Sequence, residues 1–164
     1  MKLAIAVLAL LPLACASSAE AAPDTVPKPP QAEACKPSGK VVFEIDHRAT
    51  DGAKLATYAV KVFGTGAWTR QDTDADGKAA PQTTGCLDKA YAKDLAHSLR
   101  SVPWKVTNAQ IHCMAVSPQF TEYRVEGKLV FTQKLCSGQN LDDKSRAALD
   151  AAVAKVEDAA KPAP

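Results

Sequence analysis

After residue 13 no apolar run approaches the roughly eighteen residues needed to cross a bilayer, which excludes a polytopic membrane protein. Charge of one sign is missing too. Twenty Lys and Arg face 18 Asp and Glu, for a net charge of +2. The basic residues are scattered, so neither a phosphate-binding surface nor a nucleic-acid partner is indicated. Histidine is scarce: His47, His97 and His112 form neither an H-x-x-x-H nor an H-E-x-x-H spacing, which argues against zinc. No C-x-x-C occurs, so a zinc ribbon or redox dithiol is not indicated. G-x-S-x-G, a P-loop and a dinucleotide glycine fingerprint are all absent, and Gly64-Thr65-Gly66 is too short to be the last of these. Aromatics make up only 5% of the 164 residues, so each of the two tryptophans matters.

The N-terminus is informative. Lys2 is a minimal positive region, Leu3 to Leu13 is apolar, and small residues follow from Ala14 to Ala21. This order predicts a signal peptide over 1–21 and an exported protein. Two maturation routes stay open. Ala19-Glu20-Ala21 fits ordinary cleavage after Ala21. Leu13-Ala14-Cys15 resembles the end of a bacterial lipoprotein box, with Pro12 where Leu is usual, and implies lipidation of Cys15. Residues 22–37 hold five prolines and little to bury, which reads as an extended linker. A domain over 38–158 and a tail over 159–164 complete the organisation.

Cys15 is either lipidated or removed, which leaves Cys35, Cys86, Cys113 and Cys136. An even set in an oxidising compartment predicts two disulfides. Of three possible pairings, Cys113–Cys136 is favoured, because both lie at apolar strand positions about twenty residues apart that a meander would bring together. That leaves Cys35–Cys86, stapling the linker end to a helix start.

Within the domain, strands are expected at 41–47, 58–63, 67–70, around 110–116, at 122–125 and at 128–133, with hairpin turns at Gly64-Thr65-Gly66 and Glu126-Gly127. A polar loop is expected over 71–85. Apolar residues at helical spacing predict helices over 87–102 and 141–159, the second capped by Asn140 or Asp142. Leu87, Asp88, Leu95, Leu99 and Val102 recur 54 residues later as Leu141, Asp142, Leu149, Val153 and Val156. The order strand-strand-strand-helix, read twice, suggests an internal duplication, although shared apolar offsets are also ordinary helical spacing. Either way the expected fold is α+β: a mainly antiparallel sheet of about six strands from two βββα units, with two helices on one face.

Asp72, Asp74, Asp76 and Gly77 match the first half of a D-x-D-x-D-G calcium loop, whose alternate carboxylates converge on a hard cation. Thr83 stands where the closing Glu is needed, so weak calcium is the most this motif supports, and a solvated acidic turn is the plainer reading. No other cofactor is indicated. Glu44, Asp46 and His47 suggest acid–base work, but strand alternation puts the two carboxylates on one face and the imidazole on the other. Trp68 and Trp104 are either core residues or anchors for a partner.

The signal region, Cys15, the Pro-rich spacer and the cysteine-containing domain together resemble the small exported proteins and lipoproteins of bacteria. The likeness transfers no catalytic residues. The expected function is a non-catalytic exported or envelope-anchored module that binds a protein or other envelope component, with an inhibitor-like role as one form of this. It would meet the membrane only through a lipid anchor. The alternatives are an exported enzyme built from sequence-distant residues, with His47, Glu44 or the acidic loop taking part, and a weak calcium module at Asp72–Gly77.

Overall fold

The computed structural model describes residues 35–50, 52–110, 112 and 117–160, all within the unit Ala32–Pro164. The expected signal peptide, Cys15, the linker up to residue 34 and Cys113 lie outside the described residues.

The elements in chain order are β1 (Val41–Ala49), β2 (Thr57–Phe63), β3 (Ala67–Thr73), β4 (Thr83–Cys86), α1 (Lys89–Ser101), β5 (Val106–Asn108), β6 (Gln119–Val125), β7 (Lys128–Lys134), β8 (Gln139–Leu141) and α2 (Asp143–Ala159). Six strands form one antiparallel sheet in the order β4-β3-β2-β1-β6-β7, and β5 pairs with β8 separately. The two helices pack on one face, so the fold is α+β.

Alternation sorts the long strands into two faces. Pairing aligns Trp68, Val62, Phe43 and Val125 in one row across four strands, on the helix side. The next row towards the β2 start holds Arg70, Val60, Ile45, Tyr123 and Phe131. Against these rows α1 buries Leu95 and Leu99, and α2 buries Leu149, Ala152 and Val156. Phe43, Ile45, Val60, Val62 and Leu99 are completely buried.

Both helices begin two residues later than expected, for one reason. Asp88 and Asp142 are caps, not helical residues. The Asp88 carboxylate accepts from the Ala90 and Tyr91 amides at 2.9 and 3.1 Å, and the Asp142 carboxylate accepts from the Ser145 amide at 2.8 Å. The Ser145 hydroxyl, and after it the Ser145 amide, hold the Asp142 carboxyl below its ordinary pKa. A cap takes up backbone N–H groups that have no partner inside the helix. The 54-residue repeat therefore puts equivalent aspartates at equivalent caps.

Several details depart from the sequence reading. The expected loop over 71–85 contains the end of β3 and all of β4 but its last residue, Cys86. The two halves contribute unequally to the main sheet, with β1–β4 from the first and β6–β7 from the second. In place of β4's counterpart, β8 leaves the sheet and pairs with β5, a strand the sequence did not signal. Residues 111 and 113–116 of the expected strand around 110–116 lie outside the described set. α2 takes in Ala159, and the buried Ala160 follows as its cap, so the fold extends past the expected start of the tail.

Cys35 and Cys86 form a disulfide with a Cα–Cα distance of 5.8 Å. It joins the chain before β1 to the end of β4, two residues ahead of the Asp88 cap. Cys136 is also disulfide-bonded. Peptide mapping under non-reducing conditions is expected to find it joined to Cys113.

All three tyrosines resist ionisation. Burial is the first cause for each, and it pushes Tyr123 up to about 12. The phenol is neutral in both states below about pH 10, the usual value, so the contribution to stability is complete there. Above that the unfolded chain ionises first, and stability falls as pH rises towards 12. Absorbance at 295 nm should show less phenolate at pH 10.5 in the native protein than in urea. Equal ionisation in both would show that Tyr123 is not buried as described.

Candidate functional site

The third row on the helix side is polar. It aligns Asp72, Tyr58, His47, Thr121 and Gln133 across five strands. The His47 ring stacks on Tyr58 with centroids 5.1 Å apart, and the Arg70 guanidinium lies 4.6 Å from the centroid of the same ring. Arg70 forks onto the Asp72 carboxylate at 2.7 to 3.0 Å. The Tyr58 hydroxyl donates to Glu157 on α2 at 3.2 Å, and the Tyr123 hydroxyl donates to Gln133 at 2.9 Å. His47 Nδ1 lies 2.9 Å from the Thr121 hydroxyl.

These contacts satisfy one another, and no buried side-chain N or O atom among the described residues lacks a partner. The row acts as a polar seam that closes the core and ties α2 to the sheet. A hydroxyl beside an imidazole is half of a nucleophile–base pair. Among the described residues no carboxylate hydrogen-bonds His47 to orient it. Glu44 points to the other face, where Lys61 pairs with it at 3.5 Å. Asp46 lies on that face too, paired with Arg48 at 2.5 Å and Arg124 at 3.8 Å. The helix-free face is thus a lattice of compensated charges. His97 lies exposed on α1 and His112 is exposed in a loop, so neither joins His47.

The acidic motif closes the turn between β3 and β4. The Asp72 carboxylate is taken by Arg70. The Asp74 carboxylate accepts from the Asp76 and Lys78 amides at 3.0 and 2.9 Å, a local turn that mimics backbone hydrogen bonding. Gly77 adopts φ +82, which the turn requires. Among the described residues no three His, Cys, Asp or Glu side chains are grouped to hold a metal ion. Millimolar calcium is expected to stabilise the protein by only about RT ln 2, or ~0.4 kcal/mol, as for a site near its dissociation constant. A larger rise in Tm, lost in Asp74→Ala, would give the motif a metal after all.

The two tryptophans behave differently. Trp68 is a core residue, 8% exposed. Trp104 is only half-buried and sits at the other end of the sheet from the polar seam. Its φ of +34 is unusual for a bulky residue, a conformation that costs about 1–3 kcal/mol and recurs at binding sites. Its surroundings fix it from both sides. The indole N–H donates to the Leu99 carbonyl at 3.1 Å. The next residue, Lys105, donates its amide to the buried Ser145 hydroxyl at 3.2 Å and accepts from the Asp142 amide at 3.0 Å.

Beside Trp104 lies an open groove of about 810 Å³. Val106 and Leu129, 44% and 53% exposed, are two of its walls. Lys40, Arg100, Lys128 and Glu126 form its charged rim. Glu126 accepts from Arg100 at 2.6 Å and meets Lys40 at 3.2 Å. Arg100 and then Lys40 hold its carboxyl below the usual range. Glu126 and Gly127, at φ +51 and +82, form the two-residue turn that the hairpin between β6 and β7 needs.

Trp104 is legible in the sequence as a candidate anchor; Val106, Leu129 and the rim are not. One signal was available. Leu129-Val130-Phe131 is a run of consecutive apolar residues in a strand, and alternation cannot send all three to the same core.

Compared with protein-family models, curated protein sequences and solved structures, the chain matches none.

Proposed function

We propose that the protein is an exported module that binds another macromolecule and does not itself catalyse a reaction. The single observation that carries this reading is the Trp104 groove. It combines a rigidly held aromatic side chain, exposed aliphatic walls and a polar rim, the anatomy of a protein-recognition patch. A side chain fixed before binding loses little conformational freedom on binding, which favours affinity. The signal-like N-terminus and the even cysteine set support export. The module would work beyond the cytoplasmic membrane, as a lipoprotein through Cys15 or as a released protein.

The test compares native protein with Trp104→Ala and Leu129→Ser in capturing its partner from the native envelope. Both variants should keep the fold and lose the partner. Retention by both at wild-type levels would remove the groove from the interaction. The enzyme reading keeps one supporting contact, between His47 and Thr121. Hydrolase screens should return background rates. An activity abolished in His47→Ala, with folding intact, would replace the binding reading.

A further inference from the structure

The Trp104 groove carries a statement about the chemistry of its occupant, resting on the reading of that groove as a binding site. We infer that it takes an extended, acidic segment of a partner protein with an apolar side chain seated against Trp104.

The charge of the rim selects the sign. Lys40, Arg100 and Lys128 surround a single carboxylate, Glu126. Glu126 is committed to Arg100 and Lys40, so the rim holds two positive charges in excess. The Lys128 ammonium, on an exposed residue next to the exposed Leu129, is placed to meet a carboxylate on anything lying along the groove. Complementary rim charges raise the rate of encounter and reject partners of the wrong sign.

The shape of the groove selects a segment over a flat surface. Trp104 is recessed, with its indole N–H already donating to Leu99, so it does not project as a membrane-inserting tryptophan would. A chain that lays one apolar side chain on Trp104 and places acidic ones towards Lys128 and Arg100 meets both features.

The experiment follows the two indole N–H signals of the mature protein by NMR, with buried Trp68 as the internal reference. The probes are a short peptide alternating Asp and Leu, its Lys–Leu and Asp–Ser counterparts, and vesicles of phosphatidylglycerol. The Asp–Leu peptide should shift the Trp104 signal and leave that of Trp68 in place. Lys128→Glu should weaken this binding about tenfold, a loss of ~1.4 kcal/mol. The Asp–Ser peptide should bind far more weakly. If the Lys–Leu peptide binds as tightly, the acidic specificity is overturned while the groove remains a binding site. If only the vesicles shift Trp104, the occupant is a lipid surface and the inference fails. If no probe moves Trp104, the inference fails as well, and partner capture by Trp104→Ala decides the broader reading separately.

Discussion

Removal of the Cys35–Cys86 bridge in a Cys35→Ser/Cys86→Ser variant is expected to lower stability by about 4 kcal/mol. The figure comes from the sequence separation of 51 residues, through the loss of chain entropy that a cross-link imposes on the unfolded state. The native side adds to it. The bridge holds the chain before β1 against β4, an edge strand of only four residues paired on one side. Nearby, the Thr65 hydroxyl donates to the Lys36 carbonyl at 3.3 Å, and the Leu87 amide donates to Gly66 at 2.8 Å. Without the bridge, β4 should fray first, and the Asp88 cap of α1 should loosen with it. Urea unfolding measures the total, and amide exchange locates it. A loss under about 1 kcal/mol would mean that the unfolded chain retains the constraint by other means.

The second large effect centres on Trp68. Trp68→Ala is expected to cost about 3–5 kcal/mol, the usual range for deleting a large core aromatic. Gly85 on β4 lies directly over the ring, and a Cβ built there would fall 2.4 Å from Trp68 Cζ2. Gly85→Ala must therefore push a packed indole aside, at about 1–3 kcal/mol. The two changes act on one contact, so they should not add. In the Trp68→Ala background, Gly85→Ala should cost little, because the space it needs is then open. Additive losses would show that Gly85 is required for something other than the ring.

These two sites also mark the limit of what the sequence conveyed. Gly85 sits in Thr83-Thr84-Gly85-Cys86, a stretch with no apolar alternation and a proline just upstream, so it read as loop. It is a strand because β3 offers an edge and Trp68 needs a cover, and both reasons are tertiary. The end of β3 was hidden in the same way. Its inward positions after Trp68 are Arg70 and Asp72, which break the apolar pattern while facing the helix side. Arg70 lies over Tyr58 of β2, and Tyr58 in turn bonds Glu157 of α2, 99 residues away in sequence, so the polar seam had no local signature.

The features that were legible depend on local chemistry. Asp88 and Asp142 precede helical apolar stripes, and both are caps. Glu126-Gly127 suits a tight hairpin and makes one. Strand alternation sent Glu44 and Asp46 to one face and His47 to the other. Trp104 was named as a candidate anchor, but its backbone conformation was not legible. The residue after it, Lys105, is pinned to the start of α2 by a contact 40 residues away in sequence, which no local pattern reveals. The Lys40 and Arg100 rim comes together only when β1, α1 and the β6–β7 turn meet.

The most direct test of the binding face is site-specific photo-crosslinking in the native envelope. A photoreactive amino acid replaces Leu129 in one variant and Lys61, on the helix-free face, in the other. The account predicts a covalent adduct with a second protein from position 129 and none from position 61. An adduct from position 61 with none from position 129 would contradict it.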